Sequence, residues 1–435
     1  MMKNRYDKYK DSGIAWIGEI PEHWEVAKIK SFYNVILGKM VERNNDSNTG
    51  DENYLCAANI KWNGVDTEIN KKMYFSDIEK EKYLLQYNDV LIMEGGMAGT
   101  ACLYKNEFSP CYVQNSVNVC RAKKDFNNKF LYYWMYVPYY NGYIDAICNK
   151  ATIRHYTKEK VQNTPILISS LVEQQSIAAY LDQKCGEIDE LITLQEEMIT
   201  KLQSYKQAVI TEAVTKGLDK NVPLKDSGIE WLGEIPEHWK ICKLKNIFLL
   251  STGTTPKDFD NISEGENLIN WYTPSDILDS CNDLFSSQRK LSEKLICANK
   301  ISLFPIGTLL YVGIGASAGK VGYANEKGYS NQQITGLLPL NCYSRFYFYY
   351  LSVLKDKIRD NAFFTTLPII NNTYLGQELI PFPPLPEQQS ISDYLDQRCS
   401  EIDELISIKQ QKIEKLKEYK KSLIFECVTG KRKVS

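Results

Sequence analysis

The chain says two things twice. Residues 11–24, DSGIAWIGEIPEHW, return at 226–239 as DSGIEWLGEIPEHW, identical at 12 of 14 positions. Residues 173–192, EQQSIAAYLDQKCGEIDELI, return at 387–406 as EQQSISDYLDQRCSEIDELI, identical at 16 of 20. The offsets are 215 and 214, yet the sequence between these islands is hardly shared. A duplication that keeps its joints and varies its middles predicts two equivalent modules, each free to recognise something different.

The spacing of apolar residues predicts one long helix over 173–215. Positions 177, 181, 184, 188, 191, 195, 198, 202, 205, 209 and 212 alternate steps of four and three, a heptad seam with polar interruptions. The second copy gives 391, 395, 398, 402, 405, 409, 412, 416, 419, 423 and 426. Ser170 and Glu173 have capping-box spacing at the first entrance, and Pro384 and Pro386 precede the second. Charge gives the pairing a direction. Residues 171–193 carry one base and five acids, 385–407 one base and six acids, and 408–430 six lysines against three acids. A parallel pair sets acid beside acid, so an antiparallel intramolecular coiled coil is expected.

The middles read as mixed α/β domains. Alternation around 90–93 and 111–120 predicts strands, with turns at Gly95-Gly96 and Ser109-Pro110. The aromatic-rich stretches 130–140 and 346–354 predict buried helices. The expected divisions are a first variable domain over 1–168, a long helix over 169–217, a second variable domain over 218–384 and a second long helix over 385–430.

Catalytic signatures are missing. Two of the three histidines, His23 and His238, are repeat-equivalent members of PEHW, which suits a turn or packing role better than chemistry. GIGASAGK at 313–320 lacks the glycine spacing of a phosphate loop and puts Val321 where a magnesium-binding Ser or Thr is needed. The 12 cysteines are scattered without CxxC pairs, so reduced thiols are expected. No apolar run approaches the roughly 18 residues that span a bilayer, and a cytoplasmic location is expected. A net charge of −2 neither demands nor forbids nucleic acid, because the acidic excess is confined to the first long helix.

The order of variable domain, EQQSI…IDELI helix, variable domain, EQQSI…IDELI helix, together with WIGEIPEHW and PFPPLPEQQ, resembles the specificity subunit of type I restriction–modification systems. The likeness covers essentially the whole chain; the first copy lacks the Pro-Pro that precedes the second helix. It implies a non-catalytic subunit whose two domains each read one half of a split double-stranded DNA site. The helices would space the domains and dock two modification subunits, joined by up to two restriction subunits. S-adenosylmethionine, ATP and magnesium would belong to those partners. A pseudo-two-fold repeat suits a duplex of the same symmetry. A 43-residue helix spans roughly 65 Å, more than the roughly 34 Å of one DNA turn.

Candidate DNA contacts follow from side-chain chemistry. Gln114 and Asn115, and their counterparts Asn331, Gln332 and Gln333, can read adenine through paired amide bonds, although capping or sheet-edge hydrogen bonding explains such amides at least as well. Gly96, Thr100, Ser317 and Lys320 lie in turns able to approach phosphates, although ordinary hairpin turns explain them equally well. Lys39 and Arg43, Thr254, Thr255 and Lys257, and Arg154 and His155 occupy loops suited to backbone contact. Ile192, Ile199, Ile406 and Ile413 flank the expected seam and are candidate partner contacts. Two other classes, an autonomous methyltransferase and a coiled-coil adaptor without DNA contact, fit less well. The first lacks donor-binding motifs, and the second gives no reason for divergent middles.

Overall fold

Residues 5–40, 50–148, 154–256, 268–292, 302–360, 363–364 and 368–434 are described by a computed structural model. The chain forms two compact units. Unit 1 combines Met1–Glu196 with Gln410–Ser435, and unit 2 is Glu197–Lys409.

Unit 1 begins with a hairpin pairing Tyr9–Asp11 with Glu19–Pro21, which carries the first repeated motif. It continues with β1 (Glu25–Lys28), β2 (Tyr33–Leu37), β3 (Glu52–Leu55), β4 (Lys71–Met73), β5 (Val90–Met93), β6 (Ala101–Leu103), β7 (Tyr112–Val113) and β8 (Val117–Ala122). Helix α1 (Asn128–Tyr140), β9 (Pro165–Ile168) and the long α2 (Leu171–Lys216) follow, α2 belonging to unit 1 up to Glu196 and to unit 2 from Glu197. The main sheet has the order β6-β5-β8-β2, all antiparallel. A smaller sheet has the order β7-β3-β4, with β7 parallel to β3.

Strand β5 is a continuous apolar run, Val-Leu-Ile-Met, because both faces of its sheet are covered. Val90 and Ile92 join the core built by α1, while Leu91 and Met93 join a second core with Leu55, Ile60 and Val113. Period-two geometry thus feeds two cores from one strand. Asn127 caps α1, its Oδ1 accepting from Phe130 N at 3.1 Å.

Unit 2 repeats this plan. A hairpin pairs Leu224–Asp226 with Glu234–Pro236. Its elements are β10 (Lys240–Lys243), β11 (Phe248–Thr252), β12 (Leu268–Tyr272), β13 (Asn282–Leu284), β14 (Arg289–Ser292), β15 (Leu309–Val312), β16 (Val321–Ala324), β17 (Gly328–Ser330) and β18 (Ile334–Pro339). Helix α3 (Ser344–Asp360), β19 (Leu379–Phe382) and the first part of the long α4 (Leu385–Val428), up to Lys409, complete it; α4 belongs to unit 1 from Gln410. The sheet order β16-β15-β18-β11 matches that of unit 1, with β13 added beyond β16. The small sheet again has a parallel pair, β12 with β17. Little of this common topology is visible in the divergent sequences.

The helices run antiparallel within each unit. In unit 1, Lys420 Nζ lies 2.7 and 2.8 Å from the two carboxylate oxygens of Asp189. In unit 2, Lys206 Nζ lies 2.7 Å from both oxygens of Asp403. The sum of the paired numbers is 609 in each case, as opposite chain directions require. Cys185 and Ile188 share the unit 1 core with Leu423, Ile424 and Cys427; Ile210 and Val214 share that of unit 2 with Leu395 and Cys399.

Three expectations need correction. The strand read over 111–120 is two strands, broken at Gln114–Ser116, because Val117 N turns back to Gln114 O at 3.0 Å. The helical seam also keeps its expected register only in part. Ile177, Leu181, Ile188, Ile391, Leu395, Ile402 and Leu423 are buried as expected, but Leu191, Tyr205, Leu405 and Tyr419 are exposed, while Cys185, Cys399 and Ile413 are buried beside the seam and Ile192, Ile199 and Ile406 half-buried. Lysine accounts for part of the shift. Lys206 and Lys420 lay their stems along the seam and carry their charges to its rim. The Ser170–Glu173 box is half formed: Glu173 N donates to Ser170 Oγ at 3.3 Å, but its carboxylate turns to Tyr6 and His23.

Candidate nucleic-acid interface

The repeated motifs meet inside each unit. In unit 1, Glu173 at the start of α2 accepts from Tyr6 Oη at 2.5 Å and lies 3.3 Å from His23 Nε2. In unit 2, Glu387 at the start of α4 lies 2.8 Å from His238 Nε2 and accepts from Trp239 Nε1 at 3.0 Å. The PEHW histidines therefore clasp a domain to its helix.

The variable chemistry stands on a shared backbone platform. In unit 1, Gly38 N donates to Val117 O and Lys39 N to Val113 O, at 3.3 and 2.9 Å. Glu94 N donates to Ser116 O at 2.9 Å, and Tyr156 N to Glu94 O at 2.7 Å. Unit 2 makes the same bonds with other residues. Gly253 N donates to Ile334 O at 2.9 Å, Thr254 N to Ser330 O at 2.8 Å, Gly313 N to Gln333 O at 2.8 Å, and Ile370 N to Gly313 O at 2.7 Å. A bridge joins Gly95 to His155 in one unit and Ile314 to Ile369 in the other. The glycine at the centre is dictated by space. A Cβ on Gly38 would stand 2.4 Å from Gln114 O, and one on Gly253 would stand 2.3 Å from Asn331 O.

These bonds bring most of the expected DNA contacts together. In unit 1, Lys39, Gln114, Asn115, Arg154 and His155 lie on adjoining loops around Glu94 and Ser116. Gln114 Nε2 donates to Asn115 Oδ1 at 2.7 Å, and its Oε1 accepts from Ser116 N at 3.3 Å. In unit 2, Asn331 and Gln333 lock each other through bonds of 3.0 and 3.1 Å, and the Thr255 hydroxyl donates to the exposed Gln332. Thr254 joins this group through its backbone.

Other candidates are placed differently. The basic side chains are already paired: Lys39 with Glu79 at 2.7 Å, Arg154 with Asp145 at 2.6 Å, and Lys320 with Asp279 at 3.2 Å. Lys355 and Lys320 together hold the Asp279 carboxyl below the usual carboxylate range. Thr100 is 2 % exposed and its hydroxyl donates to Met97 O, so it is a turn residue turned inward rather than a surface contact. Gly96 and Ser317 lie in the corresponding turn of each unit, exposed and half-buried. Arg43 and Lys257 fall outside the described residues. Ile413 is 6 % exposed, so it is not free for a partner.

Sequence reasoning missed Ser116 and Glu94. The signal for Ser116 was its place directly after Gln114-Asn115; Glu94 gave none, because nothing in the sequence shows which strand end meets the loop at 154–156. Burial raises the Glu94 carboxyl above its usual range, and nearby His155 only partly opposes this. Among the described residues no group of three or more His, Cys, Asp or Glu side chains is placed to hold a metal ion. No helix there is long and apolar enough to cross a membrane.

Two like-built α/β units, each presenting a polar loop platform of its own chemistry and each clasped to a long helix, define a modular recognition protein. The model of the type I restriction modification DNA specificity domain matches residues 21–203 and 236–418. The chain belongs to this type I restriction–modification specificity family. It is 26 % identical over 432 residues to the putative type I restriction enzyme MjaX specificity subunit of Methanocaldococcus jannaschii, covering 96 % of each chain. The fold is similar to a chain from a type I restriction–modification complex studied for its assembly and conformational transition. There the TM-score is 0.74 at 17 % identity, over 94 % of this chain and 99 % of that one. It is also similar to the HsdS subunit of Thermoanaerobacter tengcongensis, with a TM-score of 0.54 at 17 % identity over 94 % and 98 % of the chains.

Proposed function

We propose that this chain is the DNA sequence-specificity subunit of a type I restriction–modification complex, reading a bipartite duplex site with one loop platform per half. The observation that carries this reading is the platform itself: the same backbone bonds recur in both units while Lys39, Glu94, Asn115 and His155 give way to Thr254, Gly313, Gln332 and Ile369. A scaffold kept while its side chains change is what two readers of different half-sites need. Gln114, Asn115, Asn331, Gln332 and Gln333 are the candidates for base edges, and Thr254, Thr255 and His155 for their surroundings. The recognition domains are taken as 1–168 and 218–384, joined by the helices of 169–217 and 385–430.

The subunit is non-catalytic. Methyl transfer with S-adenosylmethionine, and cleavage with ATP and magnesium, belong to two modification subunits and up to two restriction subunits in the cytoplasm. The exposed apolar residues of the long helices support a stoichiometry of two. Leu191, Leu194 and Tyr419 lie in unit 1, and their repeat equivalents Leu405, Ile408 and Tyr205 lie in unit 2. Each set is a candidate docking patch beside the half-buried Ile192, Ile199 and Ile406, whereas the buried Ile413 is not free for this role.

Exchange of residues 25–165 for the first domain of another family member tests the reading. Sequences bound by the assembled complex should change in one half-site and keep the other; a simultaneous change in both would refute it. Leu194→Asp should remove one modification subunit in analytical ultracentrifugation, and Leu194→Asp with Ile408→Asp both.

A further inference from the structure

We propose that Glu94 is a specificity-determining residue for the half-site read by unit 1, accepting a hydrogen bond from the exocyclic N4 amino group of a cytosine in the major groove. The proposal rests on reading the chain as a specificity subunit.

Glu94 sits where three segments of the platform join. Its N–H is bonded to Ser116 O at 2.9 Å, its carbonyl accepts from Tyr156 N at 2.7 Å, and the next residue bridges to His155. The backbone is therefore held at both sides of the Cα, which leaves the side chain little freedom in how it is presented. The residue is half-buried, and among the described residues no hydrogen bond or ion pair reaches its carboxylate. The neighbouring amides of Gln114 and Asn115 are by contrast bonded to each other. The His155 imidazole faces this carboxylate without forming an ion pair and offsets the cost of its burial only in part, so a structural role does not explain it.

The chemistry selects the ligand. A carboxylate only accepts, and it is repelled by phosphates and by the keto oxygens of guanine and thymine. In the major groove cytosine presents an N4 donor, whereas adenine sets its N7 acceptor beside the N6 donor. A fixed carboxylate therefore discriminates in favour of cytosine more strongly than in favour of adenine. Unit 2 lacks this device for a steric reason. The equivalent residue is Gly313, where a Cβ would stand 2.8 Å from Ile370 O. The acidic reader thus belongs to one half-site alone.

The experiment uses the chain assembled with its modification subunits and selects bound sequences from a pool of random duplexes. The wild-type complex should yield a bipartite motif with a C·G pair in the half assigned to unit 1 by domain exchange. Glu94→Ala, and the similarly long Glu94→Met should folding of the first be impaired, remove the acceptor and should reduce the preference at that pair on the order of 10- to 100-fold. The other half-site should not change. A second measurement replaces that cytosine by pyrimidin-2-one, which lacks the amino group. Wild-type binding should weaken by a similar factor, and Glu94→Ala binding should not weaken further. An unchanged motif in both variants, a unit 1 half-site without any C·G pair, or additive effects of the base and residue changes would overturn the proposal. A wild-type complex giving no bipartite motif would instead refute the functional reading beneath it.

Discussion

Trp239 donates its indole N–H to Glu387 at 3.0 Å, and the equivalent pair in unit 1 does not form. There the indole nitrogen of Trp24 has no partner among the described residues, and Glu173 is turned to Tyr6 and His23 instead. Identical motifs thus carry different loads. Glu387→Ala should orphan a fully buried indole nitrogen and cost unit 2 about 1–3 kcal/mol. Glu173→Ala strands no buried indole that was previously bonded and should cost unit 1 less. Hydrogen exchange resolved by segment measures both, and equal losses would contradict the asymmetry.

The Glu94 carboxyl is raised above its usual range, chiefly by burial, and the titratable group facing it is His155. A raised carboxyl means that the folded state binds the proton more tightly than the unfolded chain. Stability is therefore highest when Glu94 is protonated and falls as pH rises through the folded value. Glu94→Gln removes the penalty, so the variant should be more thermally stable than wild type at pH 7–8, and the gain should vanish near pH 4. A gain independent of pH would point to packing.

Gly253→Ala places a Cβ 2.1 Å from Ser330 Oγ and 2.3 Å from Asn331 O. One of these neighbours is backbone, so the loop itself must move, at a cost of about 1–3 kcal/mol or more. The expected outcome is loss of the unit 2 half-site in a binding selection, with the unit 1 half-site kept. Loss of both would mean that the damage is not confined to one platform.

The pairs Lys206–Asp403 and Lys420–Asp189 set helix direction by charge. Their partly exposed geometry limits each to about 0.2–1 kcal/mol. Lys206→Asp should destabilise unit 2, and adding Asp403→Lys should restore most of the loss. A double-mutant cycle at low and high salt checks this, the coupling shrinking as salt rises.

What the sequence revealed follows from where information is stored. The repeats, the long helices and their antiparallel direction were legible, because each rests on identity, period or charge within a short stretch. The seam register was legible only in part. Leu191 and Tyr205 look like core residues and are exposed, while Lys206 occupies the seam through its stem. Apolar character reports what a side chain could bury, and tertiary contacts decide what it does bury. The amides at 114–115 and 331–333 were found because amides have recognisable chemistry. Glu94 was missed because its meaning comes from Tyr156 and Ser116, which only folding brings to it.

The composition of unit 1 from Met1–Glu196 and Gln410–Ser435 has a consequence for the order of synthesis. Unit 2 is continuous and can fold as it leaves the ribosome. Unit 1 must wait for the intervening residues 197–409, which at roughly 5–20 residues per second takes on the order of tens of seconds. During that interval Cys185 and Ile188 lack Leu423, Ile424 and Cys427, with which they share a core in the finished protein. The nascent chain therefore carries a bare apolar helix face throughout the making of its second half, and a chaperone has its best opportunity there.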